Sequence, residues 1–174
     1  LEQIDRAVEA VRARASRRPR IGIVLGSGLN SLADSVQQAD FIPFGDLPDW
    51  PRSTVHGHTG RLVIGELEGQ SVMVMQGRVH FYEGYSISQV TLPTRVMARM
   101  GLEILIVTNA AGGVNPDFAP GDVMLITDHL NLMGMTGANP LMGPNIEELG
   151  PRFPDMSQAY DLQLMAQARK TASE

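Results

Sequence analysis

Arg78, His80, Tyr82 and Glu83 crowd into GRVHFYEGY (77–85), directly after the apolar run SVMVMQ. In an extended segment residues i, i+2 and i+4 share one face. Arg78, His80 and Tyr82 are therefore expected on one side, with Val79 and Phe81 turned the other way toward packing. A guanidinium offers a permanent planar charge suited to phosphate oxygens. An imidazole adds a second donor, and a phenol reaches a sugar hydroxyl. The competing reading is a surface ion-pair cluster around Glu83. Three such groups following directly from a buried strand favour the ligand-binding reading.

Two other stretches have the same form. GSGLNS (26–31) supplies Gly26, Ser27 and Gly28: small residues, a hydroxyl and backbone N–H groups ahead of a short helix. That composition suits an anion cradle. It also suits a plain strand-to-helix turn, and as a dinucleotide fingerprint it lacks its third glycine, at Ser31. TNAAGG (108–113) places Asn109 before Ala110 and further small residues, which let a ligand approach backbone N–H groups or simply make a glycine turn. In open α/β sheets ligands gather at the C-terminal ends of strands. If these three ends lie side by side, their loops make one site.

Other chemistries have weaker support. His56-Gly57-His58 has no further ligand at metal spacing, and Asp128-His129 is distant in sequence, so no metal is expected. Ser27, His80 and Asp128 would form a hydrolase triad only without the G-x-S-x-G elbow.

The elements that must position these residues follow from hydrophobic periodicity. Ile4, Ala7, Val8 and Val11 predict an amphipathic helix over 2–16. IGIVLG (21–26) predicts a buried strand, LADSV a short helix, and 39–44 a strand interrupted near Pro43. Residues 45–60 are loop-like. RLVIGELEG and QSVMVMQG predict two strands joined at Glu68-Gly69-Gln70. Residues 88–101 predict a helix stopped by Gly101 with Pro93 near its start. EILIV and DVMLITDH (122–129) predict further strands. Residues 157–170 predict a last helix capped by Ser157 or Asp155. Strands alternating with helices, plus one hairpin, predict a layered α/β fold with a mixed sheet.

The 174 residues suit a single domain, 1–174. The formal net charge of −5 argues against a nucleic-acid partner, and the basic run Arg12 to Arg20 reads as a solvated helix end. There are no cysteines, which excludes disulfides, thiolate metal sites and cysteine nucleophiles and suits a cytoplasmic protein. No apolar run reaches the ~18 residues of a membrane span, so no membrane association is expected. No signal peptide opens the chain, and a first residue of Leu suggests trimmed ends.

Seven motifs occur in one order: GSGL (26–29), STVHGHTG (53–60), QGRVHFYEGY (76–85), VTNAAGG (107–113), DHLN (128–131), NPLMGPN (139–145) and RFPDMSQAYD (152–161). Together they resemble the trimeric, low-molecular-mass purine nucleoside phosphorylases over about residues 20–162. Methylthioadenosine phosphorylases differ at GRVHFYEGY and rank second. A dinucleotide-binding module is the outside alternative.

The resemblance implies a three-layer α/β/α fold with a mixed central sheet. It also implies phosphorolysis of inosine or guanosine to free purine and ribose 1-phosphate, with no cofactor and with phosphate as co-substrate. Ser27, Arg78, His80 and the Ala110 N–H would bind phosphate, with Arg78 and His80 as the catalytic pair. Asn109 would shape the loop, and His58 would lie near the phosphate entrance. Tyr82 would bind ribose. Phe153 would cross to a neighbour's nucleoside in a homotrimer. Family members continue past residue 174. That portion holds the base-binding acid and asparagine, a second phosphate-binding serine, a methionine beneath the ribose and a histidine at the 5′-hydroxyl. Two readings follow: part of an active phosphorylase whose remainder was cleaved, is disordered or lies in another chain, or, as the alternative, an inactive truncated fragment that retains a phosphate half-site. Truncation is expected to leave sheet surface exposed.

Overall fold

The computed structural model describes residues 1–52 and 60–174. Its strands are β1 (Ile21–Val24), β2 (Gln37–Pro43), β3 (Arg61–Leu67), β4 (Gln70–Gln76) and β5 (Ile104–Val107). They form one sheet in the order β2-β3-β4-β1-β5. β1 runs parallel to β4 and β5, whereas β2, β3 and β4 are antiparallel neighbours, so the sheet is mixed as expected.

Turn chemistry sets the hairpin register. Glu68 and Gly69, at φ 48° and 71°, form the two-residue turn between β3 and β4. Two left-handed residues match the twist of the flanking strands, and the register then pairs Leu67 with Gln70 and Val63 with Val74. β2 begins two residues earlier than expected and tolerates Pro43 because it is an edge strand with Pro43 at its end.

Both faces of the central strands are apolar, which is why they read as continuous runs rather than alternations. Ile23, Val63, Val72 and Val74 pack with Leu25, Ala33 and Val36, beneath a short 3-10 helix at Asn30–Ser35. On the other face Gly22 opens a gap filled by Met97, Leu102 and Leu105; a Cβ there would sit 2.6 Å from Leu102.

Met97 belongs to α2 (Ile87–Met100), which starts at a Ser86–Gln89 capping box and ends at left-handed Gly101. Pro93 lies in its second turn, inside the helix, rather than near its start. α1 (Glu2–Arg12) stops short of the expected residue 16 and turns Ile4, Ala7, Val8 and Val11 inward. It packs on α2 and is tied to it by an Arg99–Asp5 ion pair at 2.9 Å. Helical elements thus cover both faces of the sheet.

The chain divides into two compact units, 1–110 and 111–174. The second holds α3 (Leu132–Met135), a 3-10 turn at Glu147–Leu149 and α4 (Leu162–Ala172). The cap of α4 is Asp161, which accepts from the Gln163 and Leu164 N–H groups at 2.9 Å. Asp155, an expected cap, instead accepts from the Ser157 N–H in a local turn. The strand expected at 122–129 does not form. A strand exists only through its ladder partners, and this segment pairs with none of the described residues; Val123 is 98% exposed. In the first unit, β5 is an edge strand with Leu105, Ile106 and Val107 exposed.

Candidate active site

Three parallel strand tips converge. Val24 of β1 pairs with Met75 of β4 and Val107 of β5. Two residues further along each chain lie Gly26, Gly77 and Asn109. The three loops singled out in the sequence therefore leave the sheet at one level.

Thr108 joins them. The Gly26 N–H donates to Thr108 Oγ1 at 2.8 Å, and that hydroxyl donates to the Val24 carbonyl at 3.0 Å. The Thr108 carbonyl accepts from Arg78 Nη1 at 2.7 Å. One residue thereby anchors both the serine-bearing turn and the guanidinium. Gly26 is required for this approach: a Cβ would lie 2.7 Å from both Asn109 Cα and the Thr108 carbonyl oxygen. Beyond it the chain reverses through left-handed Gly28, φ +87°, closed by the Leu29 N–H donating to the Gly26 carbonyl at 3.3 Å. Ser27 and Gly28 are exposed on this turn, and Ala110, three residues past the end of β5, is exposed too.

Arg78 and His80 face each other, with Arg78 Nε donating to His80 Nε2 at 3.5 Å. Both are half-buried. The imidazole is held from behind by Glu83, whose side chain is 2% exposed. Glu83 Oε1 accepts from the His80 N–H at 2.7 Å and lies 3.0 Å from Nδ1. That leaves Nε2 on the Arg78 side. The competing reading of the sequence put Glu83 in a surface ion-pair cluster; its burial and its contacts with both the backbone and the ring of His80 make it an orienting group instead. The i, i+3 capping-box spacing of His80 and Glu83 is the signal that points to it.

The expected alternation holds only in part. Val79 is buried, but Phe81 is exposed because a 3-10 turn begins there and ends the extended stretch. Tyr82 still lies alongside His80, its ring stacked at 4.8 Å and 13°, with the residue 75% exposed.

His56 and His58 lie outside the described residues. Among the described residues no three histidine, aspartate or glutamate side chains converge as a metal site. Asp128 accepts from the His129 N–H at 2.8 Å. In the second unit Arg152 Nη1 donates to the Leu141 and Gly143 carbonyls, tying the NPLMGPN and RFPDM segments together, while Phe153 is 87% exposed.

Fold and site define an α/β protein whose polar chemistry sits at the tips of adjacent parallel strands, around an arginine–histidine pair. Residues 20–174 match the family model described as the phosphorylase superfamily, and the chain belongs to that family. It is 54% identical over 171 residues to purine nucleoside phosphorylase 1 of Geobacillus stearothermophilus, an alignment covering 98% of this chain and 61% of that protein. It is 50% identical over 167 residues to the purine nucleoside phosphorylase of Rattus norvegicus, covering 96% and 58%. The crystal structure of Schistosoma mansoni purine nucleoside phosphorylase with inosine superposes with a TM-score of 0.92 at 44% identity, covering 99% of this chain and 60% of that one. A purine nucleoside phosphorylase in complex with ribose-1-phosphate superposes equally well, at 45% identity. The chain thus has the nucleoside phosphorylase fold and spans about three fifths of the length of the curated relatives it matches. Among the described residues no helix is long and apolar enough to cross a membrane.

Proposed function

We propose that this chain carries the phosphate and ribose part of a purine nucleoside phosphorylase site, acting on inosine and guanosine. Inorganic phosphate is the co-substrate, and no cofactor or metal takes part. One observation supports this above the others: a guanidinium and an imidazole 3.5 Å apart, beside a glycine-serine turn, at the tips of adjacent parallel strands.

Phosphate rests between Arg78, His80 and the turn of Ser27, with the exposed Ala110 N–H on the far rim. As the bond from C1′ of the ribose to the purine nitrogen breaks, its electron pair leaves with the base and positive charge grows on the sugar. The phosphate dianion beneath stabilises that charge and forms the new C1′–O bond. Fixed donors that need no reorganisation supply most of the acceleration. Tyr82, stacked on His80, bonds the ribose. Phe153, exposed in the second unit, packs over a neighbour's nucleoside in a cytoplasmic homotrimer, and His58 contributes to phosphate binding. Both units belong to one phosphorylase domain.

In this reading the base-binding residues belong to the part of the family that this chain does not span, about two fifths of the length of its curated relatives. The 174 residues alone therefore bind phosphate without turning over inosine. Calorimetry with phosphate, beside an assay for hypoxanthine release from inosine, tests both statements. Absence of phosphate binding would sink the site assignment. Turnover by a mass-verified 174-residue chain would sink the half-site reading.

A further inference from the structure

Gln76, the last residue of β4, is a polar side chain buried in the core and only 3% exposed. Its Oε1 accepts from Arg61 Nε at 2.7 Å, and its Nε2 donates to the Asn30 carbonyl at 3.0 Å. Arginine only donates and a carbonyl only accepts, so these partners dictate which end of the amide is which. The Gln76 carbonyl also accepts from the Gly60 N–H at 3.0 Å. Arg61 extends the chain of contacts: its guanidinium lies over the Phe41 ring at 4.5 Å, and its Nη2 is 3.7 Å from Asp34.

Asn30 and Asp34 belong to the 3-10 helix that follows Gly26-Ser27-Gly28-Leu29. β1 itself stops guiding the chain early: the Leu25 N–H donates to the Met75 carbonyl at 3.1 Å, and past that point the serine turn has left the ladder. The turn is held at its start by Gly26 on Thr108 and at its end by Asn30 on Gln76. Gln76 is in turn two residues from Arg78 along the backbone. The amide therefore ties the end of one wall of the cup to the strand that carries the other.

We infer that Gln76 is a positioning residue for phosphate: without touching the anion, its side chain sets the Ser27-bearing turn against Arg78 and His80. This rests on the phosphate site proposed above. A neutral amide is the group the position needs. A carboxylate would keep the Arg61 contact but face the Asn30 carbonyl with no proton to give. An apolar isostere would lose both hydrogen bonds.

The test is phosphate calorimetry on the wild-type chain, Gln76→Glu, Gln76→Met and Arg61→Met, with circular dichroism and thermal melting on each. Gln76→Glu is expected to fold and to raise the phosphate Kd about tenfold, the loss of one buried hydrogen bond. Gln76→Met is expected to raise it at least as much. Arg61 is partly exposed, so Arg61→Met keeps the test alive if both Gln76 variants fail to fold; it is expected to raise Kd about threefold. In a protein that turns over inosine, Gln76→Glu is expected to raise KM for phosphate while KM for inosine stays within about twofold, a split that general loosening of the core would not produce. Wild-type affinity in folded Gln76→Glu, or in Arg61→Met when the others do not fold, would overturn the inference and leave the phosphate site standing. A wild-type chain that binds no phosphate would remove the site and the inference together.

Discussion

Glu83 holds His80 at two points, accepting its backbone N–H at 2.7 Å and lying 3.0 Å from its ring Nδ1. The imidazole is fixed in position and rotation by a carboxylate almost entirely removed from water. Glu83→Ala is expected to cost about 1–3 kcal/mol, since it removes both hydrogen bonds between a buried carboxylate and His80. It should also weaken phosphate binding by freeing the ring. Glu83→Gln retains an acceptor and should lose less on both counts. Urea denaturation and calorimetry on the two variants measure this. Equal phosphate affinity in wild type and Glu83→Ala would count against the orienting role.

Arg78 uses Nη1 on the Thr108 carbonyl and Nε on His80, so its fork is already oriented before any ligand arrives. Lysine is a point charge without that planar geometry. Arg78→Lys is expected to weaken phosphate binding about tenfold and Arg78→Gln more, with little change in melting temperature. A lysine variant binding as well as wild type would show that charge alone suffices.

Two glycines of one turn should respond differently to alanine. At Gly26 the new methyl would meet the backbone of Asn109 and Thr108 at 2.7 Å. Backbone cannot swing aside as a side chain can, so Gly26→Ala is expected to cost about 1–3 kcal/mol or more and to disturb both loops. At Gly28 the methyl meets open space, but the residue sits at φ +87°. Gly28→Ala should cost only about 1–2 kcal/mol of backbone strain. Chemical denaturation of the pair gives the comparison; a larger loss at Gly28 would contradict it.

Acid sensitivity is expected in the middle of β2. Asp40 accepts from both the N–H and the hydroxyl of Ser16 at 2.7 Å. Those bonds, the backbone one foremost, hold its carboxyl below the usual aspartate range, with the charge of Arg17 adding to the effect. A depressed folded value means the stabilisation is present above the unfolded value of about 3.9 and disappears as pH falls through the folded one. Asp40→Asn should therefore flatten the acid limb of a stability profile taken below about pH 5. Some slope should remain from Glu103, held low by its hydrogen bonds and charge pairing with Arg20. An unchanged acid limb would show that the Ser16 bonds do not favour the carboxylate.

Much of this scaffold was legible residue by residue. Apolar runs marked four of the strands, Glu68-Gly69 the hairpin, and Gly101 the end of α2. The apolar run at 122–129 misled, because a run of valine, leucine and isoleucine states only that a strand is affordable; a neighbour must supply the ladder. Likewise Arg78 and His80 were visible as a pair, while Glu83 looked like a solvated charge until its burial was known.

Short-range features, then, were written in the sequence alone: the period of each element, the left-handed turns, and the polar residues that follow each apolar run. They depend on contacts within a few residues, which the order of side chains specifies directly. The tertiary structure alone decided that Thr108 would hold both Gly26 and Arg78, and that Gln76 would reach Asn30, partners 82, 30 and 46 residues apart. Those bonds exist because β1 is placed between β4 and β5 in one register. Strand order is a property of the whole buried sheet, where burial and the pairing of every main-chain polar group are satisfied together, and no short stretch carries it.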